Sequence, residues 1–393
     1  MHAEKQKEML ERLRIHLANG TTDLSPYSLE VPASHYVSEE QAALEVKVMF
    51  RQRPLLVALT PQIPNQGDYL THEVVNTSLL IVRDKYGLAR AYINACRHRG
   101  ARIAEGKGSK SSFSCPFHAW NWGLDGKIIA RPNSHDGFSA GDDRYDQLAE
   151  VSCFETDGLI FVLLEGDDIE SKVYELLGGA LTDIASYNIE ETQYIDSRTI
   201  ELPCNYKFFI DGFAETYHIA PLHKNTISPY YYSTSTLTEQ MGEVVHLVSP
   251  RKTIEKEFQK PEAEQGAILP YCTTEYILAP NVLLTHQVDH IQFWTVYPVE
   301  GANRCRVELN VFWPNPMDED AKRKAKLNVD LVWQVTTDED FPQSVSIHSN
   351  LVSGALPNLI FGRNEPALIS YHQNIAKAIG SDRLIPLYED QDN

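Results

Sequence analysis

Apolar residues in the first twenty positions, MHAEKQKEMLERLRIHLANG, fall at Met9, Leu10, Leu13 and Leu17 among charged neighbours. That spacing gathers them on one side of a helix over residues 4–18, the pattern of a helix lying on a globular surface. From Leu55 to about Leu164 the pattern shortens. LLVALT, SLLIVRD, LARAYINA and GLIFVLL read as strands, and Asp125-Gly126 marks a hairpin turn. After Gly166 the segment IESKVYELLGGALTDIASY has helical spacing. YILAPNVLLTH, IQFWTVYPV and CRVELNVFWP then follow as consecutive strands of antiparallel length, and from Asp318 onward the chain returns to helix. No internal repeat or low-complexity tract interrupts this order, and the Pro/Asn/Gly-rich stretch 61–67 reads as a loop. The expected architecture is α+β: an N-terminal helical segment over 1–52 that packs on the last domain, an all-β domain over 53–165, and a mixed domain over 166–393.

Composition narrows the partners. The 393 residues are 42% hydrophobic and 23% charged, ordinary globular values with enough length for two cores. A formal net charge of -19 argues against a nucleic-acid backbone or an anionic membrane surface. The charged N-terminus lacks the apolar core of a signal peptide, and no uncharged apolar run is long enough to span a bilayer, so a cytoplasmic protein is expected. Six cysteines are too few and too scattered for a disulfide scaffold in a chain of this length.

Two of those cysteines keep company with histidines. NACRHRGARI supplies Cys96-x-His98, and CPFHAW supplies Cys115-x-x-His118. A structural zinc site takes the same donor types, but the single residue between Cys96 and His98 is too short to wrap one ion comfortably. Each loop then gives ligands to two different metals. A Rieske cluster needs this arrangement, with two thiolates on one iron and two neutral imidazoles on the other, which raises the reduction potential. With Pro116, Phe117, Trp120 and the hairpin LDGKI, the segment resembles the Rieske family, although many relatives have Gly where Ala119 stands.

A second group lies in CNYKFFIDGFAETYHIAPLHKNT. Glu215 and His218 are three apart and are expected on one helical face, with Pro221 ending that helix and the following turn bringing His223 back beside His218. Two histidines and one carboxylate would make the facial triad of non-haem Fe(II) oxygenases. The pattern running from Asp211 through Glu215, Tyr217 and His218 to His223 resembles the catalytic domain of Rieske oxygenases, whose third ligand is an Asp late in the chain. Asp340 of TTDEDFPQSVSIHSNLVSG takes that place by resemblance; Asp338 and Glu339 are rivals, and all three also suit a solvated helix start. FGRNEPALISYH is similar to the family's C-terminal region, so the likeness covers most of the chain and implies a helix-grip type catalytic domain.

The resemblance implies a catalytic subunit that uses O2 and electrons from NAD(P)H, passed by a separate reductase or ferredoxin, to hydroxylate or oxidatively dealkylate a small organic molecule. No nicotinamide or flavin motif appears in the chain itself. It also implies that Glu215 and Asp211 serve catalysis. Glu215 would bridge His218 to the counterpart of His118 in a neighbouring subunit, which calls for a cyclic homotrimer. An aromatic or hydrophobic substrate matches the family's commonest chemistry. Glu rather than Asp at 215 instead resembles members acting on quaternary ammonium compounds such as carnitine or a betaine, and Gly212 replaces a frequent Asn. A Rieske electron carrier or redox sensor is the competing class, and His218, His223 and Asp340 argue against it.

Candidate pocket residues are Phe208, Phe213, Tyr230, Leu284 and Phe293, and Tyr230 to Tyr232 would form the cage of a quaternary amine. Arg97, Arg99, Arg102, Lys107 and Lys110 surround the first ligand loop of an acidic protein and are expected to dock an acidic electron donor. His135, His286, His290, His348 and His372 lack ligand spacing and read as ordinary hydrogen-bonded side chains.

Overall fold

The expected N-terminal helix forms as α1 (Ala3–Asn19), ended by Gly20 in the left-handed conformation at φ 62°. Its apolar side, Met9, Leu10 and Leu13, is buried against Leu237, Val248, Ile254 and Ile268. Its polar side is tied down as well, Lys5 to Asp183 at 2.6 Å and Arg12 to Glu239 at 2.8 Å. The computed structural model describes residues 1–132 and 145–388; His135 lies outside them. The chain groups into two units, Phe50–Val173 with Asn188–Glu190, and Met1–Met49 with Tyr174–Tyr187 and Glu191–Asn393. The N-terminal segment adds β1 (Ser28–Pro32), α2 (Ser34–Val37) and α3 (Glu39–Glu45) to the second of these.

The first unit is all-β. Strands β2 (Leu55–Leu59), β3 (Asp68–Val74), β4 (Thr77–Arg83), β5 (Ala89–Ile93), β6 (Lys107–Ser109), β7 (Ser112–Ser114), β8 (Asn121–Gly123), β9 (Ile128–Ala130), β10 (Glu150–Thr156) and β11 (Leu159–Leu163) make two sheets. Seven of them lie in the order β2-β11-β10-β5-β4-β3-β6, and β7-β8-β9 form a small sheet. Tyr69, Leu80, Tyr92, Phe113 and Trp122 make a core that also buries Cys96 and Cys115. The Asp125-Gly126 turn has a steric reason: Gly126 sits at φ 73°, and a Cβ there would lie 2.5 Å from the Tyr92 ring.

The second unit is built on one antiparallel sheet. After α4 (Ile169–Leu177) and α5 (Ala180–Ala185) come β12 (Thr192–Leu202), α6 (Lys207–Phe213), α7 (Ile219–Leu222), β13 (Leu237–Met241), β14 (Val244–Pro250), α8 (Glu255–Phe258), β15 (Cys272–Leu278), β16 (Val282–His286), β17 (Ile291–Glu300) and β18 (Arg304–Pro314). The seven strands run β12-β18-β17-β16-β15-β14-β13. The chain closes with α9 (Glu319–Val335), a π-turn over Thr336–Asp340, α10 (Phe341–Val352), β19 (Asn358–Phe361), α11 (Pro366–Ile379) and β20 (Ile385–Leu387).

Three expectations change. YILAPNVLLTH is a hairpin rather than one strand, because Ala279, Pro280 and Asn281 turn the chain between β15 and β16. The helical segment after Gly166 breaks at Gly178-Gly179, where Gly178 has φ 48° and a Cβ would stand 3.2 Å from the Gly242 Cα. The tail is not helical throughout: β19 and β20 flank β1 in a three-stranded sheet that ties both ends of the chain together.

Candidate functional site

In the all-β unit two loops carry the cysteine and histidine pairs, and each is closed in the same way. The Cys96 N–H donates to the Ala101 carbonyl at 2.8 Å, and the Cys115 N–H to the Trp120 carbonyl at 2.8 Å. Asn94 braces the first loop, accepting from the Ile103 and Ala104 N–H groups and donating to the Ala104 carbonyl at 2.9 Å. Cys96 and Cys115 are buried, His98 is half-buried and His118 exposed. The two imidazoles meet edge to face with centroids 4.6 Å apart, and His98 stacks on Trp120. Burial pushes the Cys96 thiol pKa up and the neighbouring Cys115 adds to the rise, against the His98 backbone N–H that favours the thiolate. Two adjacent buried sulfurs fit a bound cation, and the exposed imidazole edge fits an electron port. Ala119 sits at φ 56°, which explains why glycine suits this position in relatives; alanine there costs about 1 kcal/mol.

The second group lies in the mixed unit. Glu215 and His218 do not share a continuous helix: α6 ends at Phe213, both residues sit in the turn that follows, and α7 starts at Ile219 with Pro221 inside its single turn. Proline is accepted there because the N–H it lacks would be unsatisfied in a first turn anyway. The turn nevertheless brings Glu215 onto His218, accepting its backbone N–H at 3.1 Å and facing its Nδ1. His223 caps the other end of α7 and turns its Nδ1 to Glu339 at 2.5 Å, while the Thr226 hydroxyl donates to Glu339 at 2.8 Å. Both histidines aim Nε2 at Asp340, whose Oδ1 lies 3.6 Å from His218 and 3.0 Å from His223. One donor atom from each of the three lies within 4.8 Å of the others, a set that could hold a metal ion. The donor set, two imidazoles and a carboxylate, is that of a facial triad with open positions.

The carboxylates around these histidines have separate tasks. Asp340 faces both rings, Glu339 orients His223, and Asp338 takes part in neither contact. Burial works against charge on His223, but Asp340 and Glu339 outweigh it and raise its pKa. Asp211, expected among the catalytic residues, turns away: it accepts from the Tyr36 hydroxyl at 2.7 Å and meets His372 Nε2 at 2.8 Å, anchoring α6. One turn earlier on that helix, Lys207 is buried against Glu45, Nζ to Oε2 at 2.8 Å.

A cavity of about 570 Å³ is lined by His218, His223 and Asp340. Phe213 and Tyr230 also line it, but Phe208, Leu284 and Phe293 do not. Phe208 stacks on Tyr36, and Leu284 and Phe293 are cross-strand partners on the sheet face that also carries Tyr276. Side chains alternate along a strand, so their polar neighbours Thr273, Glu275 and Gln292 face the cavity instead. Tyr231 lines the cavity, whereas Tyr232 gives its hydroxyl to Glu255, so the three-tyrosine cage does not form. His290, which could reach the pocket although it lacks ligand spacing, lines the cavity, and so do Arg251 and Glu275, which spacing does not indicate; for Glu275 the available signal is a polar residue inside an otherwise apolar strand.

Two families match this chain. The Rieske [2Fe-2S] domain covers residues 53–155, and the Ring hydroxylating alpha subunit (catalytic domain) covers 189–381. The chain belongs to the Rieske oxygenase alpha subunits. The carnitine monooxygenase oxygenase subunit of Escherichia coli (strain K12) is 27% identical over 237 residues, 60% of each chain. The sequence match thus spans less than two thirds of that relative's length. Among solved structures, the quaternary ammonium Rieske monooxygenase CntA with L-carnitine superposes at a TM-score of 0.74 and 18% identity, covering 91% of this chain and 96% of that one. Naphthalene 1,2-dioxygenase from Rhodococcus sp. superposes at 0.73 and 16%, covering 95% and 98%. At these identities the likeness establishes the shared fold. A Rieske cluster and a mononuclear iron are the cofactors this family implies, and both donor sets described above fit them. No described helix is long and apolar enough to cross a membrane.

Proposed function

We propose that this Rieske oxygenase alpha subunit hydroxylates or oxidatively dealkylates a small organic substrate with O2 and electrons from a separate NAD(P)H-fed reductase or ferredoxin. The observation that carries the reading is the convergence of His218, His223 and Asp340 on one point in the wall of a substrate-sized cavity. In this reading Cys96 and Cys115 hold one iron of the cluster and His98 and His118 the other. His218, His223 and Asp340 hold the mononuclear iron, which when bound supplies open positions for O2 activation. The protein's own residues do the rest. Glu215 and Glu339 fix the ring orientation and tautomer of the two histidines, Asp211 anchors the helix before them, and the cavity wall holds the substrate.

The basic cluster beside the first loop is assigned to docking an acidic donor; Arg97 and Arg99 are exposed, while Arg102 already pairs with Glu73 at 3.1 Å. Glu215 is assigned as the bridge to a neighbouring subunit's cluster in a homotrimer acting in the cytoplasm. The substrate has two readings, an aromatic compound or a quaternary amine. The polar residues in the cavity wall and the carnitine-oxidising relatives favour the amine. Iron analysis tests the whole: the purified protein should hold three irons per chain. Asp340→Ala should hold two while keeping the cluster's visible absorption. Two irons in the unaltered protein would overturn the reading and favour an electron carrier.

A further inference from the structure

Strand β15 presents two polar side chains to the cavity, and they are satisfied to different degrees. Thr273 faces the Tyr231 hydroxyl at 2.8 Å and the Gln287 side-chain oxygen at 3.0 Å. Glu275 is only 8% exposed, yet among the described residues its carboxyl meets no hydrogen-bond donor and no cation. Its cross-strand neighbours do not help. Leu247 on β14 is apolar, and Thr285, its partner on β16, leaves its own buried hydroxyl unbonded.

Arg251, a cation on the same face, is distant along the ladder and already engaged. Arg251 stands opposite Tyr271, two same-face positions along the ladder, roughly 13 Å away at the ordinary rise of a strand. Its guanidinium donates to Gln287 at 2.6 Å and lies over the Tyr231 ring. Burial with no compensating neighbour pushes the Glu275 carboxyl up to about 8. Leaving such a group unpartnered in a buried wall destabilises the fold unless a ligand supplies what the protein withholds.

We propose that Glu275 selects the substrate by receiving the N–H of a protonated secondary or tertiary alkylamine. The inference rests on the oxygenase reading of this cavity and adds the substrate class to it. An aromatic hydrocarbon brings neither a donor nor a charge to the carboxyl. A quaternary ammonium brings the charge without the donor. A protonated N-alkylamine brings both: its charge draws the proton off the carboxyl to solvent as it binds, and the hydrogen bond then formed between two ions is about twice as strong as a neutral one. The rings of Phe213, Tyr230 and Tyr231, which line the same cavity, give its alkyl groups apolar and cation-π contact.

Calorimetric titration of the iron-loaded protein with three matched probes decides the matter: dimethylaminoethanol, choline as its quaternary counterpart, and isoamyl alcohol as its uncharged isostere. Dimethylaminoethanol should bind about ten-fold or more tightly than either of the others. Glu275→Gln should remove about that factor for the amine and leave isoamyl alcohol within about two-fold. Isoamyl alcohol binding as tightly as the amine, choline equalling it, or no amine binding by protein that holds three irons would each overturn the proposal. The comparison in the unaltered protein needs no variant to fold. An iron count of two on the same sample would instead overturn the oxygenase reading, so the two failures are separable.

Discussion

Replacing Glu275 by Gln should make the protein more stable at neutral pH while impairing the site. The folded protein holds the carboxyl proton up to about pH 8, whereas the ordinary value is 4.5. The sign follows from that order. Below pH 4.5 both the folded and unfolded chains are protonated and the group is neutral to stability. As pH rises from 4.5 the unfolded chain releases its proton and the folded chain does not, so stability falls until the folded group also ionises near 8. Each pH unit in that window is worth about 1.4 kcal/mol, which sets a ceiling of about 3 kcal/mol on the penalty carried at pH 7. Gln has nearly the same shape and no proton to release. The advantage of Glu275→Gln should therefore be flat near pH 4 and grow toward that ceiling by pH 7. At about 2–4 °C per kcal/mol for a domain of this size, melting curves of the two iron-loaded proteins should separate by at most about 12 °C as pH rises. A gap that stays constant or narrows from pH 4.5 to 8 would refute the reasoning, because it would mean that water or a donor reaches the carboxyl.

Three further outcomes are expected. Glu339→Gln removes the charge that orients His223 and accepts from Thr226, so competition with a chelator should show mononuclear iron held about 10-fold more weakly, with the cluster absorption unchanged. Lys207→Met leaves Glu45 buried with only neutral donors, from Tyr206 and Gln41, and should cost about 3–5 kcal/mol in denaturant unfolding; adding Glu45→Gln should recover part of it. Glu239 is held down to about 2 by the neighbouring His246 and by Lys5, so its contribution is present above pH 4.5 and is lost as pH falls from there toward 2. The resistance of the N-terminal helix to proteolysis should fade across that window, and Glu239→Gln should flatten the change.

The chemistry of this chain was more legible in its sequence than the pocket was. Cysteine and histidine pairs a few residues apart are local features that spacing alone reveals, and the sheet core then brings the two loops together. The Glu215–His218 contact was anticipated from helical spacing and occurs in a turn, because three residues of either conformation return a side chain to nearly the same place. Asp340 could be named only through resemblance. Residues 338–340 offer three acids in a row, and the π-turn that separates their directions has no sequence signature. The pocket failed for a different reason. Leu284 and Phe293 look like a substrate wall, but strand parity turns them to the opposite face of the sheet, and parity cannot be assigned from a run in which nearly every residue is buried on both sides. The sheet joining β1 to β19 and β20 was invisible because its strands lie more than three hundred residues apart.

The π-turn has a mechanical consequence as well. Consecutive residues 339 and 340 grip both histidines, and Glu339 and His223 are 116 positions apart in the chain. Iron at this point would close a long loop, fastening the helix pair α9 and α10 to the segment around α7. Bound there, the metal would act as a cross-link between stretches of chain that lie far apart in sequence. The contacts of Glu339 and Asp340 with His223 already span that loop, so the metal would reinforce a closure that the side chains make on their own.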